Sequence, residues 1–209
     1  MKEIIIVGAG GFGRETYYLI KAINAVKPTW NIKGFINDIA VDLKAKQIDV
    51  PVLGTIKDWQ PSENEVFAMG ISSPNGKEKV AGILKSRGAV FETLIGPRVV
   101  ICPTAVVGEG SVITYPSTIG DFARIGSFVN VAGSMIGQDA QIGDFSTTTG
   151  YANITNATLG KRVFVGSHAV ILNNRKIGDD AFICAGSIVF HNVKSGTKVF
   201  GNPAKKLDF

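Results

Sequence analysis

The sequence has little cysteine and no long apolar run. Only Cys102 and Cys184 are cysteines among 209 residues, and their wide separation matches neither a metal site nor a disulfide framework. So few thiols fit a reduced, cytoplasmic environment. No apolar stretch approaches the roughly 18 residues that a membrane helix needs, and the apolar stretch at the N-terminus is too short for a signal peptide. We therefore expect a soluble cytoplasmic protein without a metal.

The chain also lacks a strong excess of one charge. It carries 22 basic and 17 acidic residues, for a net charge of +5. The basic residues are spread over both halves, with 12 in residues 1–97 and 10 in residues 98–209. Nucleic-acid-binding proteins concentrate basic residues on one face or in one arm. The charge pattern therefore gives no support to nucleic-acid binding, and nothing favours a membrane role.

The first half of the chain has the pattern of an α/β domain. Strand-like apolar runs at residues 4–7, 31–37 and 66–70 alternate with helical patterns at residues 14–26 and 76–87. A glycine-rich turn follows the first run. Strand, glycine turn, helix and strand in this order predict a parallel sheet. We assign residues 1–94 to a Rossmann-like domain.

The second half, residues 95–209, repeats with a period of six. Of 17 successive slots, 16 hold Ile, Leu or Val, and nine are followed by glycine. The phase slips by one residue after Val131 and again after Ile154. The slots are Ile95, Ile101, Val107, Ile113, Ile119, Ile125, Val131, Ile136, Ile142, Thr148, Ile154, Leu159, Val165, Ile171, Ile177, Ile183 and Val189.

A period of six fits neither a helix nor a single strand, whose side chains repeat every 3.6 and 2 residues. A chain that turns a corner every six residues closes one triangular coil with three hexads, and its apolar slots stack inside. The second half therefore predicts a left-handed parallel β-helix of hexapeptide repeats, with between five and six coils.

Taken together, the two halves resemble the sialic acid O-acyltransferase and bacillosamine N-acetyltransferase-like family of sugar acyltransferases. Besides the hexads, the resemblance is carried by VGAGGFGRE at residues 7–15, GFIND at 34–38 and GNPAKK at 201–206. It covers nearly the whole chain. It implies a homotrimer that transfers an acyl group, expected to be acetyl from acetyl-CoA, to an amine or hydroxyl of a nucleotide-linked sugar in surface glycan synthesis.

The glycine turn and the ends of the next two strands form the candidate substrate site. Glycines after a first strand let backbone N–H groups approach a phosphate at a helix N-terminus, although a simple tight turn is the alternative. An acidic residue after the second strand stands where a ribose would be bound. The resemblance implies a uridine diphosphate sugar here rather than NAD. The candidates are Gly8, Gly10, Gly11, Gly13, Asn37, Asp38 and Ser72.

The resemblance also implies that the donor lies in a groove between neighbouring β-helices. Thr147 occupies the slot of a family histidine that contacts the acyl donor. Asn156 lies near the backbone amide that polarises the thioester carbonyl. The lysines of the closing segment would face the adenosine phosphates as point charges, unless that segment is a solvated tail. The full set is Thr147, Asn156, Ala185, Gly186, Asn202, Pro203 and Lys205.

The chain departs from the family at the catalytic base. The family has a histidine before an acidic residue in the β-helix, whereas this chain has Gln138 before Asp139. Glutamine has no usable proton affinity. His191 falls on the line of Gln138 but three coils away, roughly 14 Å, and His168 falls on a different flat, so we expect both to be surface histidines.

The missing base leaves several functions open. The enzyme uses Asp139 as its base, or an amine acceptor attacks without a strong base because the pocket keeps it neutral. Alternatively the protein has lost catalysis and only binds a nucleotide sugar or a partner, or it is another transferase with a different donor. Asn156 and Asn173, which share a face, are expected to form a side-chain ladder rather than a site.

Overall fold

The computed structural model describes residues 1–207, which form two compact units. The first unit comprises Met1–Pro97, and the second begins at Arg98. The sequence-based boundary lies between residues 94 and 95, a few positions earlier. The last two positions of the predicted second domain, 208 and 209, lie outside the described residues.

The first unit is built on a four-stranded parallel sheet with the order β3-β2-β1-β4. Both faces of β1 and β4 are buried, which explains their nearly continuous apolar runs. A short 3-10 helix spans Lys44–Lys46. The other elements are β1 (Lys2–Val7), α1 (Gly11–Val26), β2 (Trp30–Ile36), β3 (Val52–Gly54), β4 (Glu65–Met69), α2 (Pro74–Ser86) and β5 (Leu94–Ile95).

Both helices begin slightly before the positions that the apolar pattern predicts. The start of α2 is set by Ser73, whose side-chain oxygen accepts a hydrogen bond from the Gly76 amide at 3.3 Å. Pro74 then occupies the first helical turn, where its fixed φ is favourable. The edge strand β3 is only three residues long, and no periodic signal predicts it.

The second unit is a parallel β-helix with three faces. The first face contains β7 (Val106–Val107), β10 (Arg124–Ile125), β13 (Gln141–Ile142), β16 (Thr158–Leu159) and β19 (Lys176–Ile177). The second face contains β8 (Val112–Thr114), β11 (Asn130–Ala132), β14 (Thr147–Thr148), β17 (Phe164–Val165), β20 (Phe182–Ile183), β22 (Lys198–Phe200) and β23 (Lys205–Lys206). The third face contains β6 (Val100–Ile101), β9 (Thr118–Ile119), β12 (Met135–Ile136), β15 (Asn153–Ile154), β18 (Val170–Ile171) and β21 (Ile188–Val189).

The apolar slots of the hexads form the core of this unit. On the third face Ile136 pairs with Ile154, Ile154 with Ile171, and the column continues upward one coil at a time. Thr148 takes its place in the second-face column and is fully buried. The predicted fold class, a Rossmann-like α/β domain followed by a left-handed parallel β-helix, is confirmed.

The first predicted slot is wrong, because Ile95 is 40% exposed. In β5 it is the preceding residue, Leu94, that is fully buried. Side chains alternate along a strand, so only one of these two neighbours can face inward.

None of the helices in residues 1–207 combines the length and the apolar character that crossing a membrane requires.

Candidate functional site

The glycine turn between β1 and α1 leaves open space at the start of the helix. Gly8 has a φ of +92°, a backbone conformation that favours glycine, and its amide donates to the Ile36 carbonyl at 2.9 Å. A Cβ built on Gly10 or Gly11 would meet no atom within 4 Å. The first N–H groups of a helix have no partner inside it and carry partial positive charge. This end of α1 is therefore able to bind an anion such as a diphosphate.

Gly13 has a different task from Gly10 and Gly11. A Cβ on Gly13 would lie 1.9 Å from the Gly8 carbonyl oxygen, and one on Gly70 would lie 2.8 Å from the Gly13 Cα. Glycine at these positions lets α1 pack directly on the chain that leaves β1 and β4. Gly13 thus shapes the turn by backbone packing, while Gly10 and Gly11 line its open side.

Asn37 ties the glycine turn to the end of β2. Its Oδ1 accepts a hydrogen bond from the Ala9 amide at 3.1 Å, and its Nδ2 donates to the Ile39 carbonyl. The side chain of Asn37 therefore positions the turn. Asp38 is exposed, and one of its carboxylate oxygens accepts a hydrogen bond from the Lys57 amide at 3.2 Å. Asp38 is the acidic candidate for a ribose.

Ser72 is exposed and follows β4. Because β1, β2 and β4 run parallel, their carboxyl ends lie at one edge of the sheet, which is where α/β proteins bind ligands. The structure therefore brings the seven predicted substrate residues to a single edge of the first unit.

Lys77 is a residue that the sequence analysis missed. It lies in the first turns of α2, just after Ser72, and it is fully buried. Burial lowers the pKa of Lys77 well below its usual value. The periodic pattern gave no signal for it, because a lysine in a helix is normally solvated.

Gln138 and Asp139 lie at the corner that joins the third face to the first. We call this the amide corner, and it comprises Gln138, Asp139, Asn156 and Asn174. Asp139 has a φ of 56°, and its amide donates to the Asp121 carbonyl one coil below at 2.9 Å. The side chains of Gln138 and Asp139 are both exposed.

The predicted ladder at the amide corner involves a different pair of residues. Asn156 Nδ2 donates to Asn174 Oδ1 at 3.2 Å, whereas the sequence analysis paired Asn156 with Asn173. The slip after Ile154 removes one residue from this corner and shifts Asn156 into the positive-φ position, where Asn174 also lies. The amide of Asn156 donates to the Gln138 carbonyl at 2.9 Å, so it is engaged within the β-helix.

Thr147 lies on the second face, away from the amide corner. It precedes the inward-facing Thr148 in β14, and it is 1% exposed. Its amide donates to the Val163 carbonyl at 2.9 Å. Within one chain, the structure does not bring Thr147 to the same corner as Gln138.

Four of the predicted donor residues align at the corner that joins the second face to the third. The Gly186 amide donates to the Ser167 carbonyl at 2.8 Å, and the Ile188 amide donates to the Gly201 carbonyl at 3.0 Å. These bonds stack the segment with Ala185 and Gly186 directly below the segment with Asn202 and Pro203. The aligned residues, Ala185, Gly186, Asn202 and Pro203, are all exposed.

Two aromatic residues that the sequence analysis did not assign to the site continue this column downward. The His168 amide donates to the Gly150 carbonyl at 2.9 Å, which places His168 directly above Tyr151. Their rings stack with centroids 5.2 Å apart and planes at 20°. We call Tyr151, His168 and Gly186 the histidine corner. Corner positions lie outside the apolar period, and this is why the hexads gave no signal for them.

Lys205 lies near the top of the β-helix. It belongs to β23, which pairs antiparallel with β22, and it is exposed. Lys206 follows it in β23, and the nearby Lys198 ammonium lies 5.1 Å from the Phe182 ring centroid. These lysines provide positive charge on the last coils, at the upper end of the histidine corner.

Two cavities of the described residues lie away from the predicted site residues. A pocket of about 390 Å³ in the first unit is lined by residues 41–44 and 48–52. A hollow of about 250 Å³ on the first face of the β-helix is lined by Arg124, Gln141 and Lys161, among others. Among residues 1–207, no group of three or more His, Cys, Asp or Glu side chains is placed to hold a metal ion.

Comparisons with known proteins match both units. Residues 3–84 match the PglD N-terminal domain family. The acetyltransferase domain of PglB from Neisseria gonorrhoeae FA1090 has a TM-score of 0.89 and 21% identity, and the match covers 99% of this chain and 100% of that one. PerB from Caulobacter crescentus, solved with CoA and GDP-perosamine, has a TM-score of 0.87 and 20% identity over 100% of this chain and 98% of that one.

Two further matches extend this result. WeeI from Acinetobacter baumannii AYE has a TM-score of 0.85 and 25% identity over 99% of this chain and 100% of that one. A 2,3,4,5-tetrahydropyridine-2,6-dicarboxylate N-acetyltransferase from Staphylococcus aureus (strain bovine RF122 / ET3-1) is 44% identical over 45 residues, which is 22% of this chain and 19% of that protein. The chain therefore carries a PglD-type N-terminal domain over residues 3–84, and over nearly its whole length it shares its fold with the PglB acetyltransferase domain, PerB and WeeI.

Proposed function

We propose that this protein transfers an acetyl group from acetyl-CoA to an amine or hydroxyl of a nucleotide-linked sugar. The observation that carries this proposal is the column of exposed donor residues at one corner of the β-helix, Ala185, Gly186, Asn202 and Pro203. Small residues along such a column let an extended pantetheine chain approach the backbone. The lysines of the last coils supply charge for the phosphates of CoA.

The first unit would hold the nucleotide part of the acceptor. The open N-terminus of α1 beside Gly10 and Gly11 offers backbone N–H groups to the diphosphate, and Asp38 is available to the ribose. The relative PerB was solved with GDP-perosamine, which supports an amino sugar linked to a nucleotide. The identity of the nucleotide stays a prediction, and we expect a UDP-linked sugar.

The two parts of the β-helix site require more than one copy of the chain. Asp139 lies at the amide corner, whereas the donor column lies at another corner of the same triangular coil. A ring of three copies can bring these two different surfaces together, because cyclic trimers are built from unlike patches. We therefore propose a homotrimer, acting in the cytoplasm where acetyl-CoA and reduced thiols are found.

A second function has a specific observation in its favour. Gln138 cannot accept a proton, and the Asn156 amide is already bonded to the Gln138 carbonyl, so neither can serve the reaction as the family resemblance implies. A protein that binds a nucleotide sugar without transferring an acetyl group would tolerate both features.

Calorimetric titration with acetyl-CoA and with CoA distinguishes the two functions without knowledge of the acceptor. The proposed transferase should bind both with micromolar affinity at about one site per chain. No binding at millimolar donor would overturn the transferase and favour the binding protein.

The substrate site is tested separately by titration with UDP, GDP and dTDP. Gly11→Val should abolish the binding of nucleoside diphosphate, because its side chain would fill the open space at the start of α1. Gly82→Val is the matched control, since Gly82 also faces open space but lies in α2. Equal binding by the two variants would place the nucleotide elsewhere.

A further inference from the structure

Lys77 occupies an inward-facing position of α2 that is otherwise apolar. The buried residues of α2 are Lys77, Ala81 and Leu84, which are four and three positions apart and therefore lie on one face of the helix. Lys77 is fully buried, and it is the member of this set nearest the helix N-terminus. A buried charge is far more costly than a buried apolar side chain. Packing alone therefore does not explain a lysine at this position.

The side chain of Lys77 extends toward the edge of the sheet that carries the predicted substrate residues. Helix α2 follows β4, so its N-terminus lies at the carboxyl end of that strand. Long side chains in a helix lean back toward its N-terminus. The amine of Lys77 is therefore carried toward the same end of the sheet as the glycine turn.

The strand order has its switch point between β1 and β4. Helix α1 leads from β1 to β2, whereas α2 leads from β4 to the segment at Phe91, which pairs in parallel with Phe67. These two connections run in opposite directions from the middle of the sheet. Since both are right-handed crossovers, the two helices lie on opposite faces. Ligands of α/β proteins bind at such a switch point, outside the carboxyl ends of the strands.

Ile71 connects the turn of Lys77 with the glycine turn. A Cβ built on Gly8 would lie 2.8 Å from Ile71 Cγ1 and 3.3 Å from the Gly70 carbonyl oxygen. A Cβ built on Gly76, the residue before Lys77, would lie 3.5 Å from Ile71 Cγ2. The first turn of α2 and the glycine turn are thus in contact with the same side chain. Lys77 therefore approaches the switch point from the face opposite to α1.

We propose that Lys77 supplies positive charge to the substrate site by taking up a proton when a nucleoside diphosphate binds at the glycine turn. This inference rests on the proposed function, in which the diphosphate lies there. In the unliganded protein, burial lowers the pKa of Lys77 and favours the neutral amine. The negative charges of a bound diphosphate raise this pKa and favour the ammonium. The nitrogen lone pair accepts a proton from solvent, and no covalent bond to the ligand forms.

Other ionisable groups of the first unit titrate outside the neutral range. The charged residues on the elements next to Lys77 and the switch point are Glu3 in β1, Arg14 and Glu15 in α1, Glu65 in β4, Glu78 and Lys79 in α2, and Glu92 beside β4. Glu3 and Glu65 bind Lys33 at the amino ends of their strands, at the opposite edge of the sheet from the glycine turn, and the N-terminal amine precedes β1 at that edge too. Residues 1–97 contain no histidine or cysteine. Between pH 6 and 8.5, a change of side-chain charge on binding in this unit is therefore expected at Lys77.

The uptake of a proton can be measured without any variant. The probes are UDP-glucose, GDP-mannose and dTDP-glucose, because their esterified diphosphates do not titrate between pH 6 and 8.5. Calorimetric titrations in two buffers of different ionisation enthalpy give the number of protons bound with the ligand. This number should approach about one per site within that range, and the affinity should then fall by up to about tenfold for each unit of rising pH.

Lys77→Met assigns the proton to its residue. Methionine fills a similar space without a charge, and an apolar replacement of a buried charged group is often neutral or stabilising, so this variant should fold. It should lose the proton uptake and the pH dependence, and at pH 6 it should bind roughly tenfold to a hundredfold more weakly. Lys79→Met is the matched control, because Lys79 is the next lysine of α2 and is exposed. It should bind as the unaltered chain does.

The outcomes separate this inference from the proposed function. Binding without proton uptake, or proton uptake that persists in Lys77→Met, would overturn the inference and leave the nucleotide site in place. A lysine that serves only the packing of α2 would change the stability of Lys77→Met but not the pH profile of binding, and this result would overturn the inference as well. No binding of any of the three probes by the unaltered chain would overturn the proposed substrate site, and the inference with it.

Discussion

The two units of this chain use glycine for different purposes. In the β-helix glycine repeats because coils lie directly on one another: a Cβ on Gly108 would be 2.5 Å from the backbone of Gly126, and one on Gly143 would be 2.5 Å from Gly160. In the α/β unit only Gly13 has so close a backbone contact within the glycine turn, while Gly10 and Gly11 face open space. Within the glycine turn, therefore, crowded Gly13 serves the packing of α1, whereas Gly10 and Gly11 leave space for a ligand.

The units also differ in how they hold charge. In the α/β unit the Glu65 side chain is 4% exposed and accepts hydrogen bonds from Lys33 at 2.8 Å, Trp59 at 3.2 Å and the Ser62 amide at 3.0 Å. In the β-helix the bidentate pair of Arg162 and Asp180 lies at an exposed corner, with both hydrogen bonds at 2.8 Å. The α/β unit thus holds a charged network in its interior, whereas this ion pair of the β-helix lies at the surface.

The contrast between crowded and open glycines predicts the largest effect. Gly13→Ala places a Cβ against the Gly8 carbonyl oxygen and should destabilise the first unit by about 3 kcal/mol, the upper range for overpacking. Gly11→Ala should change the free energy of unfolding by less than about 0.5 kcal/mol, as expected away from tight packing. Chemical denaturation measures the total change in the free energy of unfolding. Hydrogen exchange on peptides from each unit shows which unit is destabilised. Equal effects of the two variants would contradict the contrast.

The contrast between the buried Glu65 network and the exposed Arg162–Asp180 pair predicts a smaller loss of stability. Glu65→Gln should destabilise the first unit by about 2 kcal/mol, because it weakens hydrogen bonds to a buried charged group. Burial raises the pKa of Glu65, but the hydrogen bonds from Lys33, Ser62 and Trp59 outweigh it and leave the pKa below its usual value.

This lowered pKa gives the Glu65 prediction a pH signature. A carboxylate whose pKa is lower in the folded chain stabilises it fully above its unfolded pKa, and this contribution is lost as the pH falls through the folded value. The difference in unfolding free energy between the unaltered chain and Glu65→Gln should therefore be constant above about pH 5 and shrink in more acidic urea series. A difference that does not depend on pH would mean that the ionised carboxylate contributes nothing.

The sequence predicted the β-helix because the same physical requirement recurs in every hexad. Thr148 was assigned to an inward slot by phase alone, although its residue type argues against burial, and it is fully buried. Strand β3 was missed because three residues at a sheet edge carry no period. Asn156 was paired with Asn173 instead of Asn174 because the one-residue slip after Ile154 shifts the alignment at this corner by one position. The apolar period does not show which of the two asparagines is the partner, and the hydrogen bond does.

The sequence identified which residues belong to the candidate site, but it did not show how they are arranged in space. The sequence identified the glycine turn and the segments with Ala185, Gly186, Asn202 and Pro203, but their alignment at one corner needs the pairing of successive coils. His168 was set aside because it lies on a different flat from Gln138. That separation places it on the same corner as Ala185 and Gly186, which only the pairing of successive coils makes visible.

Thr148 is the one polar residue among the 17 hexad slots, and it gives a further prediction for the stability of the β-helix core. The Thr148 hydroxyl is buried without a hydrogen-bond partner among residues 1–207. Thr148→Val keeps the shape of the side chain and should stabilise the β-helix by about 1 kcal/mol. Thr149→Val should do the opposite by a similar amount, because the Thr149 hydroxyl donates to the Val165 carbonyl at 3.0 Å. Thermal unfolding measures both, and destabilisation by Thr148→Val would imply a partner such as a bound water.

The smallest effect should come from the exposed ion pair of the β-helix. Arg162 lowers the pKa of Asp180 through its hydrogen bonds, yet the Asp180 side chain is 38% exposed. Solvent and salt screen such pairs, so Asp180→Asn should cost no more than about 0.5 kcal/mol, and that cost should fall further at high salt. Urea unfolding of Asp180→Asn and Glu65→Gln in parallel, at low and high salt, compares the two units directly. A cost at Asp180 equal to that at Glu65 would mean that ion pairing at a corner holds successive coils together, and that the β-helix depends on its surface as much as on its apolar columns.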